Sequence, residues 1–162
     1  MGAAGGKERD SAGRLVRLGR EDLAEVLALE RLCYTQPWTE ANFIGEFQRP
    51  ITVPLGFKKD GSLLAHCFFW LLPPEIHLLN LAVHPGHRRL SLGRRLMSAM
   101  IAIGRRAKVE LVFLELRSSN LAAFDLYRSL GFVPGGRRAG YYEDGEDAIL
   151  MTLDCGLSPV GH

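Results

Sequence analysis

The sequence predicts a single mixed α/β domain: a sheet of six or seven strands with helices on both faces. Three observations lead there. The chain has 162 residues, the size of one ordinary domain. Hydrophobic residues make up 47% and charged residues 23%, a globular rather than a disordered composition. The periodic segments run helix, helix, three strands, helix, strand, helix, two strands, which joins early hairpins to a later strand–helix–strand crossover.

Residues 1–13 read as a flexible tail, residues 14–154 as the domain and residues 155–162 as a C-terminal tail. Met1 to Arg14 is Gly, Ala and charge, with no apolar segment to serve as an export signal. Gly6 stands where a myristoylation motif wants Ser or Thr. From Arg20 to Leu32, the spacing of Leu23, Val26, Leu27 and Glu30 predicts a helix with acidic residues in its first turn. Pro37-Trp38 breaks the chain, and Thr39 is placed to cap a short helix through Phe47. Strands from Val53 to Lys59 and from Leu63 to Leu72 flank Asp60-Gly61, a strong hairpin signal. Ile76 to Val83 is a third strand. Ser91 to Arg106 is a helix with an apolar seam of Leu92, Leu96, Met100 and Ile103. Leu111 to Leu116 is apolar on both faces, the pattern of a central strand. Asn120 to Leu130 is a helix closed by Gly131, and strands from Phe132 and from Ala148 to Leu153 end the domain.

The formal net charge is +2, so bulk electrostatics points to neither nucleic acid nor membrane as a partner. No apolar run approaches the ~20 residues of a membrane helix. Cys33, Cys67 and Cys155 are scattered without CxxC or Cys/His spacing, which argues against a disulfide framework and against a metal site. Reduced thiols in a cytoplasmic protein are the expectation. The charge is unevenly placed, however. No acidic residue lies between Glu75 and Glu110, a stretch that holds Arg88, Arg89, Arg94, Arg95, Arg105, Arg106 and Lys108. Such a field suits a bound anion, and equally a solvated basic helix face.

Within that stretch, residues 83–95 join a strand to a helix. A turn that feeds a helix N-terminus offers backbone N–H groups and the positive end of the dipole, and such a nest holds a phosphate. Neither a Walker loop nor a dinucleotide fingerprint is present. An ordinary turn with a basic helix start fits the same residues.

The turn resembles the [QR]-x-x-[GA]-x-[GA] pyrophosphate loop of the GNAT acyltransferases, with Arg88 at its first position and Gly93 at its last. Ser91 stands where that family usually has Gly. If the position needs φ > 0, Ser costs stability or affinity; if it needs only an N–H, Ser serves. The resemblance extends to Leu79–Val83, Leu114–Asn120, Leu126–Phe132, Arg137-Arg138 with Tyr141-Tyr142, Glu146–Ala148 and Pro37-Trp38-Thr39. Together these residues resemble one branch of the family, the bacterial ribosomal-protein-alanine N-acetyltransferases (RimI type), from about Leu15 to Leu153.

What the resemblance implies is concrete. The fold would be the GNAT fold, a mostly antiparallel mixed sheet splayed at its centre. The co-substrate would be acetyl-CoA, with its pyrophosphate on the turn formed by Arg88, Arg89, Leu90, Ser91, Leu92, Gly93 and Arg94. Its pantetheine arm would lie along the backbone of Leu81, Ala82 and Val83, and Asn120 would contact it too. The acceptor would be a protein N-terminus, of a small-subunit ribosomal protein and at alanine. Trp38, Tyr141 and Tyr142 would line the acceptor slot, although Trp38 also fits as a staple under the second helix.

Moving an acetyl group from a thioester to an amine requires a base for the amine, donors for the oxyanion and an acid for the thiolate. Glu115 is the base by the resemblance. It alternates onto one face with Leu111 and Phe113, and a carboxylate among apolar neighbours suits that task. By spacing alone, Glu115 would pair with Arg117, on the same face. Tyr127 is the acid by the resemblance; it is seven residues from Asn120 and shares a helix face with it and with Phe124. By type alone, it is a core tyrosine with its hydroxyl at the surface. His84 and His87 flank the turn as surface residues. Other functions remain open at this level: the same chemistry on a lysine, another N-terminus or a small amine, or a non-catalytic acyl-CoA sensor. Nucleic-acid binding is disfavoured because the basic turn has no interleaved aromatics.

Overall fold

The computed structural model describes residues 13–156. Apart from Gly13, Cys155 and Gly156, the two expected tails lie outside the described residues. Seven strands form one sheet: β1 (Arg14–Arg17), β2 (Thr52–Lys59), β3 (Ser62–Leu72), β4 (Glu75–Val83), β5 (Leu111–Arg117), β6 (Val133–Arg138) and β7 (Ala148–Asp154), in the order β1-β2-β3-β4-β5-β7-β6. Among the described residues, four α-helices accompany them: α1 (Leu23–Cys33), α2 (Glu40–Gln48), α3 (Leu92–Arg106) and α4 (Leu121–Ser129). The chain divides into two compact units. One runs up to Phe69 and includes Asn80–Ser98; the other comprises Trp70–Leu79 and the chain from Ala99 onward.

In the first unit, β1 was not anticipated. It is four residues long and mostly exposed, and it exists because Leu15 and Val16 pair antiparallel with Phe57 and Gly56 of β2. No local pattern of four residues announces an edge strand. The turn into β3 is Asp60-Gly61, with φ of 52° and 79°; two positive φ values match the right-handed twist of a two-residue hairpin. Helix α2 opens on a reciprocal cap: Asn42 N donates to Thr39 Oγ1 at 3.1 Å and Thr39 N to Asn42 Oδ1 at 3.0 Å. Helix α1 buries Val26, Leu27, Leu29 and Glu30. The unit's core includes the fully buried Phe43, Phe57, Phe68 and Phe69.

In the second unit, β4 and β5 pair in parallel: the ladder joins Glu75, Ile76 and His77 to Leu111, Val112 and Phe113. The N–H groups of Glu110 and Leu111 both donate to the Pro74 carbonyl, at 2.7 and 3.2 Å, and this sets the register at the start of β4. Strand β5 then pairs antiparallel with β7 over its whole length, and β7 with β6. Cys155, expected in the tail, is buried and donates its N–H to Glu110 O at 2.9 Å. In α3 the buried stripe is Leu92, Leu96, Met97, Met100 and Ile101, while Ile103 is only half-buried. Its Gly104 comes so close to β4 that a Cβ would stand 2.7 Å from Ile76 Cδ1.

Candidate active site

The basic turn is a run of 3-10 turns, Pro85–Leu90, that enters α3 through Ser91. Ser91 has φ 56° and ψ 32°, the left-handed conformation. The position usually held by Gly in the family is therefore a conformationally demanding one, and α3 begins at Leu92, one residue later than expected. A left-handed residue at the mouth of a helix makes successive N–H groups converge, the geometry that receives an anion. His84 shapes the turn: its Nδ1 accepts from Gly86 N at 3.0 Å.

Before the turn, the carbonyls of Leu81 and Val83 accept from side chains. Tyr34 Oη donates to Leu81 O. Cys33 Sγ and Arg88 Nε donate to Val83 O, at 3.2 and 3.4 Å. Burial pushes the Cys33 thiol up, so at neutral pH it remains a donor. Carbonyls i and i+2 point to the same edge of a strand, and here that edge is capped by side chains.

The same unit holds a buried polar cluster that sequence reasoning used only as helical spacing. Glu30 is 1% exposed. It accepts from Trp38 N at 3.0 Å and from Asn80 Nδ2 at 3.1 and 3.0 Å. Burial pushes its carboxyl up, and the Trp38 N–H and Asn80 amide partly offset this. His66 lies 3.6 Å from Glu30, but burial takes its pKa down to about 3, so the neighbour is a neutral imidazole rather than an ionic partner. The Trp38 ring rests on Phe43 at 5.1 Å and on Phe68 at 6.2 Å, as a staple under α2 would.

In the second unit, β5 places Glu115 on its more open face, with Leu111, Phe113 and Arg117; the buried face is Val112, Leu114 and Leu116. The Glu115 side chain is 28% exposed, more than expected, because this face carries the charged residues. Its cationic neighbour is Arg138 on β6, at 3.6 Å. Arg117 is committed to Asp144 and Glu146, at 2.8 and 3.0 Å, and lies 4.1 Å over the Tyr142 ring. Spacing alone would pair Arg117 with Glu115, but the loop after β6 brings Asp144 and Glu146 to its guanidinium. Tyr141 hydrogen-bonds Glu115, which raises its pKa, and Arg138 lies 5.5 Å over its ring. Burial, and after it the Glu115 charge, pushes Tyr142 up to about 12. Both tyrosines thus remain hydrogen-bond donors at neutral pH. Glu115, Tyr141 and Tyr142 are brought together, with Arg138 beside them; Arg138 was visible only within the family resemblance.

Helix α4 holds the other two predicted residues. Asn120 caps it, accepting from Ala123 N at 3.2 Å. At the far end, Phe132 N donates to Tyr127 O and Gly131 N to Arg128 O, both at 3.0 Å, with Gly131 at φ 102°. These are the two bonds of a Schellman cap, and the apolar contact that accompanies it is Tyr127 on Phe132, ring centroids 5.8 Å apart. Tyr127 is 6% exposed, so its ring is core and is held by the helix stop itself.

A family model for acetyltransferases of the GNAT family matches residues 23–132. The chain belongs to the GNAT family. It is an N-acetyltransferase, and enzymes of this family take their acetyl group from acetyl-CoA. The chain is 35% identical over 136 residues to the ribosomal protein bS18-alanine N-acetyltransferase of Escherichia coli K12, covering 82% of this chain and 90% of that one. It is 33% identical over 149 residues to the N-alpha-acetyltransferase RimI of Mycobacterium tuberculosis, covering 89% and 92%. Among solved structures, the crystal structure of the ribosomal-protein-S18-alanine N-acetyltransferase from Escherichia coli superposes with a TM-score of 0.84 at 31% identity, covering 93% of this chain and 98% of that one. The GNAT fold expected from the sequence is the one observed. No helix among the described residues is long and apolar enough to cross a membrane.

Proposed function

We propose that this N-acetyltransferase acetylates the α-amine of a protein N-terminus, the N-terminal alanine of the small-subunit ribosomal protein bS18. The observation that carries this is the near full-length match to relatives of that name, with 82% or more of this chain and 90% of the E. coli enzyme aligned. An acceptor and an acetyl-CoA pool of this kind place the reaction in the cytoplasm.

The residues fit acetyl-CoA. The left-handed Ser91 turn and the first N–H groups of α3 suit its pyrophosphate, with Arg88 and Arg94 as charge-assisted donors. The Leu81–Val83 backbone, whose carbonyls already take side-chain donors, suits the amides of its pantetheine arm. Acetyl-CoA supplies the electrophilic thioester carbonyl and a thiolate leaving group. Glu115, directly or through a water, takes the proton from the attacking ammonium. Arg138 lies 3.6 Å from that carboxylate. Tyr127 gives its phenolic proton to the departing sulfur, and its position is fixed by the helix cap. Asn120 contacts the co-substrate at the head of the same helix. Tyr141 and Tyr142, both phenols at neutral pH, donate hydrogen bonds to the acceptor backbone, and Trp38 packs its first side chain.

Intact-mass measurement of ribosomal proteins from a deletion strain tests the acceptor. Loss of one acetyl group from bS18 is expected; an unchanged bS18 mass refutes the assignment.

A further inference from the structure

We propose that Glu30 is a positioning residue: it is the tether that holds the acceptor-side loop, residues 34–39, to β4 when the co-substrate takes the carbonyls of Leu81 and Val83. The proposal rests on the reading above, that β4 receives the pantetheine arm and Trp38 serves the acceptor.

The end of α1 and the loop after it are fastened to one short piece of β4 by side chains at three points. Tyr34 reaches the Leu81 carbonyl, Cys33 the Val83 carbonyl, and Glu30 the Asn80 amide. The first two fasten to main-chain carbonyls on one edge. Those are the acceptors an incoming amide would use, so the Tyr34 and Cys33 donors must yield to it. The third is different. It joins side chain to side chain, uses no main-chain group of β4, and can persist with the edge occupied.

Glu30 also holds the loop from its other end, through the Trp38 N–H at 3.0 Å. One carboxylate therefore takes three hydrogen bonds from two segments, the loop and the strand. A buried carboxylate is tolerated only with such partners. An apolar residue of the same length would fill the space, but it could bind neither the Trp38 N–H nor Asn80. Asn80 Oδ1 is itself buried without a hydrogen-bond partner, so the contact to Glu30 is what orients that amide. With Tyr34 and Cys33 displaced, the Glu30 carboxylate still joins the Trp38 N–H of the loop to the Asn80 amide of the strand.

The test is hydrogen exchange on the full chain, read over residues 34–39 with and without CoA, paired with acceptor kinetics. In the wild type, CoA should leave loop exchange within about twofold while slowing exchange in the turn at residues 86–94. In Glu30→Met, CoA should speed loop exchange at least fivefold with the turn still protected. The acceptor-peptide KM should rise about tenfold, with kcat within threefold. Glu30→Gln should behave as wild type, because its amide can accept from Trp38 N–H and donate to Asn80 Oδ1 once Asn80 flips. Asn80→Leu cuts only the strand side and carries the same expectation as Glu30→Met, which covers the case in which the methionine variant does not fold. A purely structural Glu30 would lower the melting temperature without any CoA-dependent loop opening and without moving KM. That result overturns the proposal, as does equal loop opening in the wild type. The exchange readout uses no acceptor. If wild-type enzyme leaves Ala-starting peptides unmodified, the acceptor assignment fails while exchange still decides the role of Glu30.

Discussion

Replacing Ser91 by Gly should make the enzyme more stable, although glycine usually destabilises. Ser91 sits at φ 56° and ψ 32° with its side chain exposed, so removing the side chain gives up no core packing. A left-handed conformation costs an L-residue roughly 1–2 kcal/mol, and glycine escapes that cost. Against this, glycine loses about 0.5–1 kcal/mol more chain entropy on folding. The net is a gain of about 0.5–1 kcal/mol, or a rise in Tm of about 1–4 °C for a chain of this size. Val, β-branched and unsuited to positive φ, should lower Tm by several degrees. Reversible thermal melts of the three proteins measure this directly. The same series should order CoA affinity by calorimetry as Gly equal to or tighter than Ser, and Val weaker, because the turn must keep its N–H groups converged. A Gly variant that melts below the wild type, or a Val variant that matches it in both assays, would refute the reasoning that the turn is strained at this residue and shaped by it.

Glu115→Gln and Tyr127→Phe should each lower kcat by about 10²–10⁴-fold with little change in CoA affinity, the range for a positioned general base or acid; wild-type turnover in either variant removes its assigned role. Arg117→Gln should instead loosen the Tyr142–Glu146 loop, since Arg117 holds Asp144 and Glu146, and a melt that is unchanged there would contradict that role. Hydrogen bonds from Ser119, and then Arg117, bring the Glu146 carboxyl down to about 2 from 4.5. Its contribution to stability is therefore complete above about pH 4.5 and is lost as the pH falls toward 2, a slope that Glu146→Gln should flatten in acid melts. Peptides beginning with Ala should be acetylated, and the same peptides blocked at the N-terminus should not be, even with a free lysine. An α-amine of pKa ~8 needs less deprotonation than a lysine of ~10.4. Equal rates on blocked peptides would assign the acceptor to lysine.

The sequence by itself determined the elements whose physics is local. Asp60-Gly61 made a hairpin because both residues tolerate positive φ, and Thr39 and Gly131 capped helices because the bonds they make lie within a turn. The basic turn was legible for the same reason, as a run of neighbours between a strand and a helix. What only the tertiary structure decided depends on residues far apart in the chain. β1 exists through β2, and the parallel register of β4 on β5 is set by two N–H groups meeting the Pro74 carbonyl. Arg117 pairs with Asp144 and Glu146, and Glu115 with Arg138, because strand pairing puts residues 20–30 positions away closer than a neighbour two positions along. Glu30 was only one member of a helical stripe until the loop's Trp38 N–H and Asn80 of β4 arrived at its carboxylate. Periodicity reports which face of an element is buried; which partner a buried charge meets is fixed only when separate segments pack together.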